Sequence, residues 1–221
     1  NYIAEGESLS IPTEADTFIN AVLNNETSLV STDTGYKEVR SIKERRTRLT
    51  ENNLIIASSY TFTNTTQNGL TDNNFYSFKT KVESAGNTVS LFANAFKTID
   101  AQNSKETIFD VQYSQYIKGE FEYIKHWNIS RDQVLAVRGF FGLAIPYGNS
   151  TSIPFSRSYF AGGSNDIRAW QPYSLGPGSV RSLNDFNEAN LKISANAEFR
   201  FSIVGKFRGA LFADVGNIWN V

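Results

Sequence analysis

The sequence contains an arginine and an aspartate, in separate segments, whose side chains can form a buried charge pair. Arg168 stands in a polar, glycine-rich stretch, Phe155-Ser-Arg-Ser-Tyr-Phe-Ala-Gly-Gly-Ser-Asn-Asp-Ile-Arg-Ala-Trp170, and Asp214 stands in the later segment Phe212-Ala-Asp-Val-Gly-Asn-Ile-Trp219. The arginine side chain is planar and permanently charged, so it binds a carboxylate through two parallel hydrogen bonds. We interpret the stretch as a loop that folds back into a β-barrel and is held to its wall by this pair.

The other residue types that could support catalysis or metal binding do not form a site in this sequence. No nucleophile or histidine base accompanies the carboxylates, so we predict that the chain is not an enzyme. The single histidine, His126, is interpreted as a solvated or interfacial side chain, and the lack of cysteine excludes disulfides and cysteine-ligated metal sites. Gly162, Gly163 and the Gly176-Pro-Gly178 segment are predicted to be permissive turn positions, since no Lys-Ser/Thr of a phosphate loop follows them. We expect no cofactor and no metal.

The composition favours a membrane barrel over other classes. With 21 basic and 22 acidic side chains the net charge is -1, which gives no reason to expect nucleic acid as a partner. No run approaches the roughly 18 apolar residues of a membrane helix, so strands would have to span a membrane. A mean hydropathy of -0.33 with 14% aromatic residues is typical of a barrel, in which only alternate residues face lipid.

Alternation with a period of two predicts the strands that position these residues. In 191–203 one face is apolar and the other polar, and the runs 109–127 and 134–145 behave alike. Such runs exceed the mean strand of about 5–6 residues and reach the roughly 9–11 that cross a bilayer. Further strands are predicted over 36–44, 49–63, 74–84 and 206–217, with turns at 128–132 and at Gly205. A soluble β-sandwich is the alternative, but it would rarely need such long strands with aromatic residues on one face.

The connections between the predicted strands are unequal in length. The turns at 128–132 and 204–206 are short, whereas 86–107 and 146–190 are long, which is the outer-membrane pattern with long loops outside the cell. Residues 1–35, with a short helix predicted over 15–24, are expected to form another extracellular loop. We interpret the basic cluster from Lys43 to Arg48 as a solvated strand end near lipid headgroups.

The ends of the sequence suggest a piece of a longer protein. The chain has no methionine, begins at Asn1 and ends at Val221 directly after a predicted strand. Seven strands are predicted, and a single-chain bacterial barrel needs an even number. We therefore expect residues 1–221 to be part of one transmembrane barrel domain whose upstream periplasmic domains and final strands lie outside the sequence.

The order of motifs resembles the BamA/TamA-type outer-membrane assembly barrels. Pro-Phe-x-x-x-Tyr-Phe-x-Gly-Gly-x-x-x-Ile-Arg-Ala-Trp precedes Gly-Pro-Gly, an alternating strand with Glu-Phe-Arg-Phe, and Phe-x-Asp-x-Gly-Asn-Ile-Trp, and the best match covers 131–219. In that family the sixth extracellular loop folds into the lumen and bears a Val-Arg-Gly-Phe/Tyr signature. Here the signature stands as Ile167-Arg168-Ala169-Trp170, and Ala169 replaces the usual glycine.

The resemblance implies an antiparallel, 16-stranded barrel in the bacterial outer membrane, with the 146–190 loop in its lumen. It also implies that Arg168 binds carboxylates on the inner wall, which are Glu198 and Asp214 by position, and the alternation places both on polar faces. The implied function is the assembly of other β-barrels, with outer-membrane lipids, unfolded clients, periplasmic chaperones and accessory lipoproteins as partners. The alternatives are a two-partner-secretion transporter and a passive porin or adhesin. The general assembly factor and a TamA-like paralogue stay equally open.

Overall fold

Two compact units make up the chain, Asn1–Glu51 and Asn52–Val221. The computed structural model describes residues 3–4, 7–8, 15–69, 71–92, 97–99, 105–109, 111–179 and 187–221. Parts of the predicted loops, namely 1–2, 5–6, 9–14, 93–96, 100–104 and 180–186, lie outside the described residues. Among the described residues, none of the helices has the length and apolar character needed to cross a membrane.

The first unit is a small helical hairpin preceded by two short strands. Strand β1 (Ile3–Ala4) pairs antiparallel with β2 (Glu7–Ser8), and the helices are α1 (Ala15–Leu23) and α2 (Thr34–Thr50). Ile19 and Val22 of α1 form a buried cluster with Val39 of α2. The helix predicted over 15–24 is confirmed by α1.

The strand predicted over 36–44 is wrong, because these residues lie within α2. Tyr36 and Val39 are spaced by three, so both reach the same apolar cluster from a helix. The remaining positions are rich in lysine, arginine and glutamate, which favour a helix more than a strand. The cluster from Lys43 to Arg48 is accordingly part of a helix and not a strand end. The strand predicted from residue 49 begins later for the same reason, since α2 continues to Thr50.

Six long strands form one antiparallel sheet in the second unit. They are β4 (Ala57–Thr65), β5 (Tyr76–Ala85), β9 (Tyr116–Ser130), β10 (Gln133–Pro146), β11 (Leu191–Val204) and β12 (Phe207–Trp219). Their order in the sheet is β12-β11-β10-β9-β5-β4, so these six strands are arranged in the sheet in their order along the chain. The fold is therefore mostly β-sheet, as the alternation predicts, and the short turn at Gly205 (φ +58°) is confirmed. The turn predicted over 128–132 is shorter than expected, because β9 continues to Ser130 and only residues 131–132 form the turn.

The register of the sheet separates a polar face from an apolar face. Arg138 of β10 pairs with Asn196 of β11, which pairs with Asp214 of β12, so these side chains form one row on the polar face. The opposite face carries large apolar side chains that are exposed, namely Tyr60, Phe62, Val82, Ile117, Phe121, Tyr123, Phe141, Ile145, Ile193, Leu211 and Val215. A continuous exposed apolar face of this kind marks a contact with lipid or protein.

A second, smaller sheet includes short segments of the predicted 86–107 loop. Helix α3 (Asn87–Phe92) precedes β6 (Lys97–Ile99), β7 (Glu106–Ile108) and β8 (Val111–Tyr113), and β3 (Asn53–Leu54) pairs parallel with β8. The strand predicted over 109–127 is thus divided between two sheets. The division falls at Ser114, whose backbone N–H donates to the carbonyl of Leu54, and at Gln115, whose N–H donates to Ser150 Oγ.

The loop between β10 and β11 packs on the polar face of the large sheet. It contains a 3-10 turn, Phe155–Arg157, and a bridge between Tyr159 and Ala189. The main apolar core lies between this loop and the strands; its buried members are Ala85, Tyr116, Ala144, Ile153, Tyr159, Ala161, Ile167, Ala189 and Ile218. Because this core is the largest in the unit, the position of the loop is tied to the packing of the sheet.

Candidate functional site

The glycine-rich segment closes on itself before it presents Arg168. The carboxylate of Asp166 accepts a hydrogen bond from the N–H of Gly162 at 2.8 Å, and the N–H of Gly163 donates to the carbonyl of Trp170 at 2.8 Å. Gly162 has φ +101°, and a Cβ added there would lie 2.2 Å from the carbonyl oxygen of Gln171. Only glycine fits this position, both for its backbone angle and for its space.

The predicted signature residues have different surroundings. Ile167 is buried in the core under the loop, whereas Trp170 is 48% exposed. Ala169 is exposed, and its φ is not positive. The extra methyl group at this position is therefore accommodated, and the departure from glycine does not disturb Arg168.

Arg168 binds both predicted carboxylates. Its Nε and Nη2 donate to Oδ2 and Oδ1 of Asp214, each at 2.8 Å, and its Nη1 donates to Glu198 Oε2 at 2.6 Å. The backbone N–H of Arg168 also donates to Asp214 Oδ2, at 3.0 Å. This is the two-pronged geometry that only a guanidinium makes. The Asp214 side chain is 4% exposed, and those of Arg168 and Glu198 are 23% and 22% exposed.

An aromatic ring packs against the Arg168 guanidinium group. The Cζ atom of Arg168 lies 3.8 Å from the centre of the Phe212 ring, within the range of a cation–π contact. The hydrogen bonds that Arg168 donates to Asp214 raise the pKa of Arg168 above its ordinary value, with Glu198 adding to the effect. An arginine side chain keeps its charge throughout the physiological pH range.

Neighbouring side chains hold the two carboxylates and the loop backbone. Asn196 donates to Asp214 Oδ1 at 2.9 Å and to the carbonyl of Asp166 at 2.6 Å. Arg200 Nε donates to Glu198 Oε1 at 2.6 Å, and Lys192 pairs with Asp166 at 2.9 Å. The strands of the large sheet therefore hold the loop by its side chains and by its carbonyl groups.

Sequence reasoning did not assign a role to Phe212, Asn196 or Asp166. Phe212 belongs to the quoted Phe-x-Asp motif, and its separation of two residues from Asp214 places both on one face. The alternation over 191–203 places Asn196 on the polar face and says nothing more about it. Its pairing opposite Asp214 follows from the register of β11 and β12, which no local pattern reveals.

A cavity of about 410 Å³ lies beside Arg168 on the polar face. Charged side chains of both signs line it, among them Glu122, Arg138 and Glu198, together with His126. His126 is half-buried against Phe75, at 4.4 Å between ring centres. Among the described residues no group of three or more histidine or carboxylate side chains is placed to hold a metal ion. The arrangement can position a loop.

Comparison with known proteins identifies the family. Residues 106–221 match the family model of the Omp85 superfamily domain. The outer membrane protein assembly factor BamA of Neisseria meningitidis serogroup B is 28% identical over 116 residues, which are 48% of this chain and 14% of that protein. The crystal structure of BamA from Haemophilus ducreyi lacking POTRA domains 1-3 aligns with a TM-score of 0.42 at 18% identity, covering 75% of this chain and 42% of that chain. Because the family model matches more than half of the residues, the chain belongs to the Omp85 superfamily, and its location is the bacterial outer membrane.

Proposed function

We propose that the chain is part of a transmembrane β-barrel that helps to fold and insert other barrel proteins into the outer membrane. Membership of the Omp85 superfamily and the identity to the Neisseria assembly factor support this function. The loop between β10 and β11 comprises residues 147–190 and is called the 147–190 loop below. The observation that carries the proposal is the binding of this loop to the polar face through Arg168, Glu198 and Asp214. The activity is one of scaffolding and templating, without catalysis.

The dimensions of the large sheet support a barrel wall. Strands β9 to β12 contain 15, 14, 14 and 13 residues, and about 9–11 tilted residues cross a bilayer. Lipid would cover the exposed apolar face, and the polar face would line the lumen. The proposed whole barrel has 16 strands, so that no unpaired edge lies in hydrocarbon. The 147–190 loop would then enter the lumen from outside the cell, where residues 1–35 are also proposed to lie.

The proposed mechanism is the templating of a client strand at a weakly paired seam. Unpaired N–H and C=O groups at a strand edge pair readily with another extended chain. We assign no described residue to the seam. Unfolded outer-membrane clients, outer-membrane lipids, periplasmic chaperones and accessory lipoproteins are the proposed partners.

The proposed role of the Arg168 cluster (Arg168, Glu198 and Asp214) is to fasten the loop inside the lumen. A loop as long as 147–190 has a large conformational entropy unless contacts fix it. Removal of one partner of a buried ion pair costs about 3–5 kcal/mol, and access of water to the lumen lowers that cost. A fixed loop would keep one side of the lumen in a constant shape while the seam opens.

Depletion of the full-length protein tests the function. We expect many different barrel proteins to lose their folded, heat-modifiable form while periplasmic soluble proteins keep their levels. If only one secreted protein accumulates in the periplasm, the chain is a two-partner-secretion transporter instead. If all barrels fold normally and only ion conductance falls, it is a passive porin.

A further inference from the structure

The 147–190 loop contacts the large sheet at a second place, away from the Arg168 cluster. The ring of Tyr159 lies against β10 at Gly142, whereas Arg168 contacts β11 and β12. Gly142 is four positions along β10 from Arg138, whose row contains Asp214. Four residues of a strand correspond to about 13 Å. The two contacts are therefore separated both along the strands and across them.

Tyr159 is almost completely enclosed at this place. The residue is 6% exposed, its hydroxyl lies 3.3 Å from Glu120 Oε1 and 3.4 Å from the carbonyl of Gly119, and Lys118 Nζ lies 4.1 Å from the ring centre. Burial of the phenol, together with the nearby Glu120, raises the pKa of Tyr159. The hydroxyl therefore keeps its proton, with Glu120 Oε1 as the nearer of its two possible acceptors.

Gly142 provides the space that the ring occupies. A Cβ added at Gly142 would lie 2.5 Å from Cζ of Tyr159, which is closer than atoms in contact can approach. The backbone at Gly142 does not adopt a positive φ, so the backbone alone would accept another residue. Gly139 on the same strand has nothing within 4 Å of such a Cβ. The glycine at 142 is thus explained by the tyrosine ring and not by the strand.

Arg157 adds polar contacts at the same place. Lys118 Nζ donates to the carbonyl of Arg157 at 2.9 Å, and Arg157 Nη1 lies 3.5 Å from Glu83 Oε1. The Glu83 side chain is 4% exposed, and it also accepts hydrogen bonds from Tyr116 at 2.7 Å and from Lys81 at 2.8 Å. A carboxylate this deeply buried has a fixed position, which makes it a firm attachment point for the loop.

We propose that Tyr159 and Arg157 form a second attachment of the loop, the Tyr159 seat, made with Gly142, Glu120, Lys118 and Glu83. The seat holds the first part of the loop on β5, β9 and β10 independently of the Arg168 cluster. One attachment leaves a loop free to pivot, whereas two separated attachments fix its orientation. The inference rests on the proposed function in one respect, since it takes the placement of the loop to matter for assembly.

Cysteine labelling of the full-length protein in isolated outer membranes tests the seat. The chain has no cysteine, so Ala161→Cys and Ile167→Cys each report on one buried position, with the unsubstituted protein as the background. We expect Gly142→Val to raise maleimide labelling at position 161 about tenfold, corresponding to about 1.4 kcal/mol, and to affect position 167 much less. Gly139→Val, the matched control, should leave both positions protected. Arg168→Ala should show the opposite preference and expose mainly position 167.

Two results would contradict the proposal that the Tyr159 seat is a second attachment. One is equal exposure of both reporters by Gly142→Val and by Arg168→Ala, which indicates a single attachment. The other is an identical effect of valine at 142 and at 139. If Gly142→Val reduces the amount of folded protein, Tyr159→Ala in the same chain should restore it to the level of Tyr159→Ala alone, because the collision is removed. A further loss in the double variant would place the defect in the strand and contradict the proposal.

The labelling result does not depend on assembly activity. Normal folding of all barrels after depletion would reject the proposed function even if the two reporters behave as expected. A general loss of barrels together with unchanged labelling in Gly142→Val would reject only the seat.

Discussion

At the scale of single residues, the geometry of Arg168 predicts that no other cation can replace it. Arg168→Lys keeps the charge but loses the paired hydrogen bonds to Asp214, and Arg168→Ala removes the cation that Glu198 and Asp214 share. We expect both variants to lower the melting temperature of the protein and, under the proposed function, its assembly activity, with alanine the more severe. The loss should be below the roughly 3–5 kcal/mol of a fully buried pair, because Arg168 is 23% exposed.

Heat-modifiability on gels and growth of a strain that depends on the variant measure this effect. Asp214→Ala should reproduce part of it, and Glu198→Ala less, since Glu198 makes one hydrogen bond to Arg168 where Asp214 makes three. Arg208→Ala is the matched control, an exposed arginine on the same face of β12. Wild-type behaviour of both Arg168→Ala and Asp214→Ala would exclude a role in holding the loop.

The carboxylates were predictable from the sequence for a simple reason, and their supporting residues were not. Alternation assigns Glu198 and Asp214 to a polar face, and the motif order brings Arg168 to them. The stacking of Phe212 on the guanidinium depends on the path of the loop above the sheet, which strand periodicity does not contain. The seat of Tyr159 at Gly142 depends on the same path, so a glycine inside a strand pattern gave no indication of its partner.

At the scale of elements, the long strands followed from alternation because their side chains alternate between the polar and the apolar face of the sheet. The element over 36–44 did not follow from alternation. It is a helix, because Tyr36 and Val39 belong to a small helical core, and a period of two does not describe helical packing. The sequence pattern also did not predict that residues 109–127 are divided between two sheets. It is made by hydrogen bonds to Leu54 and Ser150, both remote in sequence.

Asn149 joins the small sheet to the loop and offers a test at this scale. Its Nδ2 donates to the carbonyls of Glu106 and Tyr113 at 2.7 and 3.0 Å, and its Oδ1 accepts from the N–H of Glu106 at 2.7 Å. Asn149→Ala removes all three bonds, and each buried backbone group left unsatisfied costs about 1–3 kcal/mol. We expect faster hydrogen exchange over 106–113 while β9 to β12 keep their protection. Asn128→Ala, at the end of β9, is the control, and unchanged exchange in Asn149→Ala would show that the sheet is held in other ways.

At the scale of the whole molecule, the two faces of the sheet should tolerate charge very differently. Leu211 is 67% exposed on the apolar face of β12, and Ala210 is exposed on the polar face one position before it. If lipid covers the apolar face, Leu211→Arg should cost about 2–4 kcal/mol near the bilayer midplane and lower the folded fraction in outer membranes. Ala210→Arg would face a lumen that already contains Arg208, so its folded fraction should stay near that of the wild type. Gel mobility before and after heating gives both fractions. Equal tolerance of the two arginines would mean that water or protein, and not lipid, covers the apolar face, and the barrel proposal would fail.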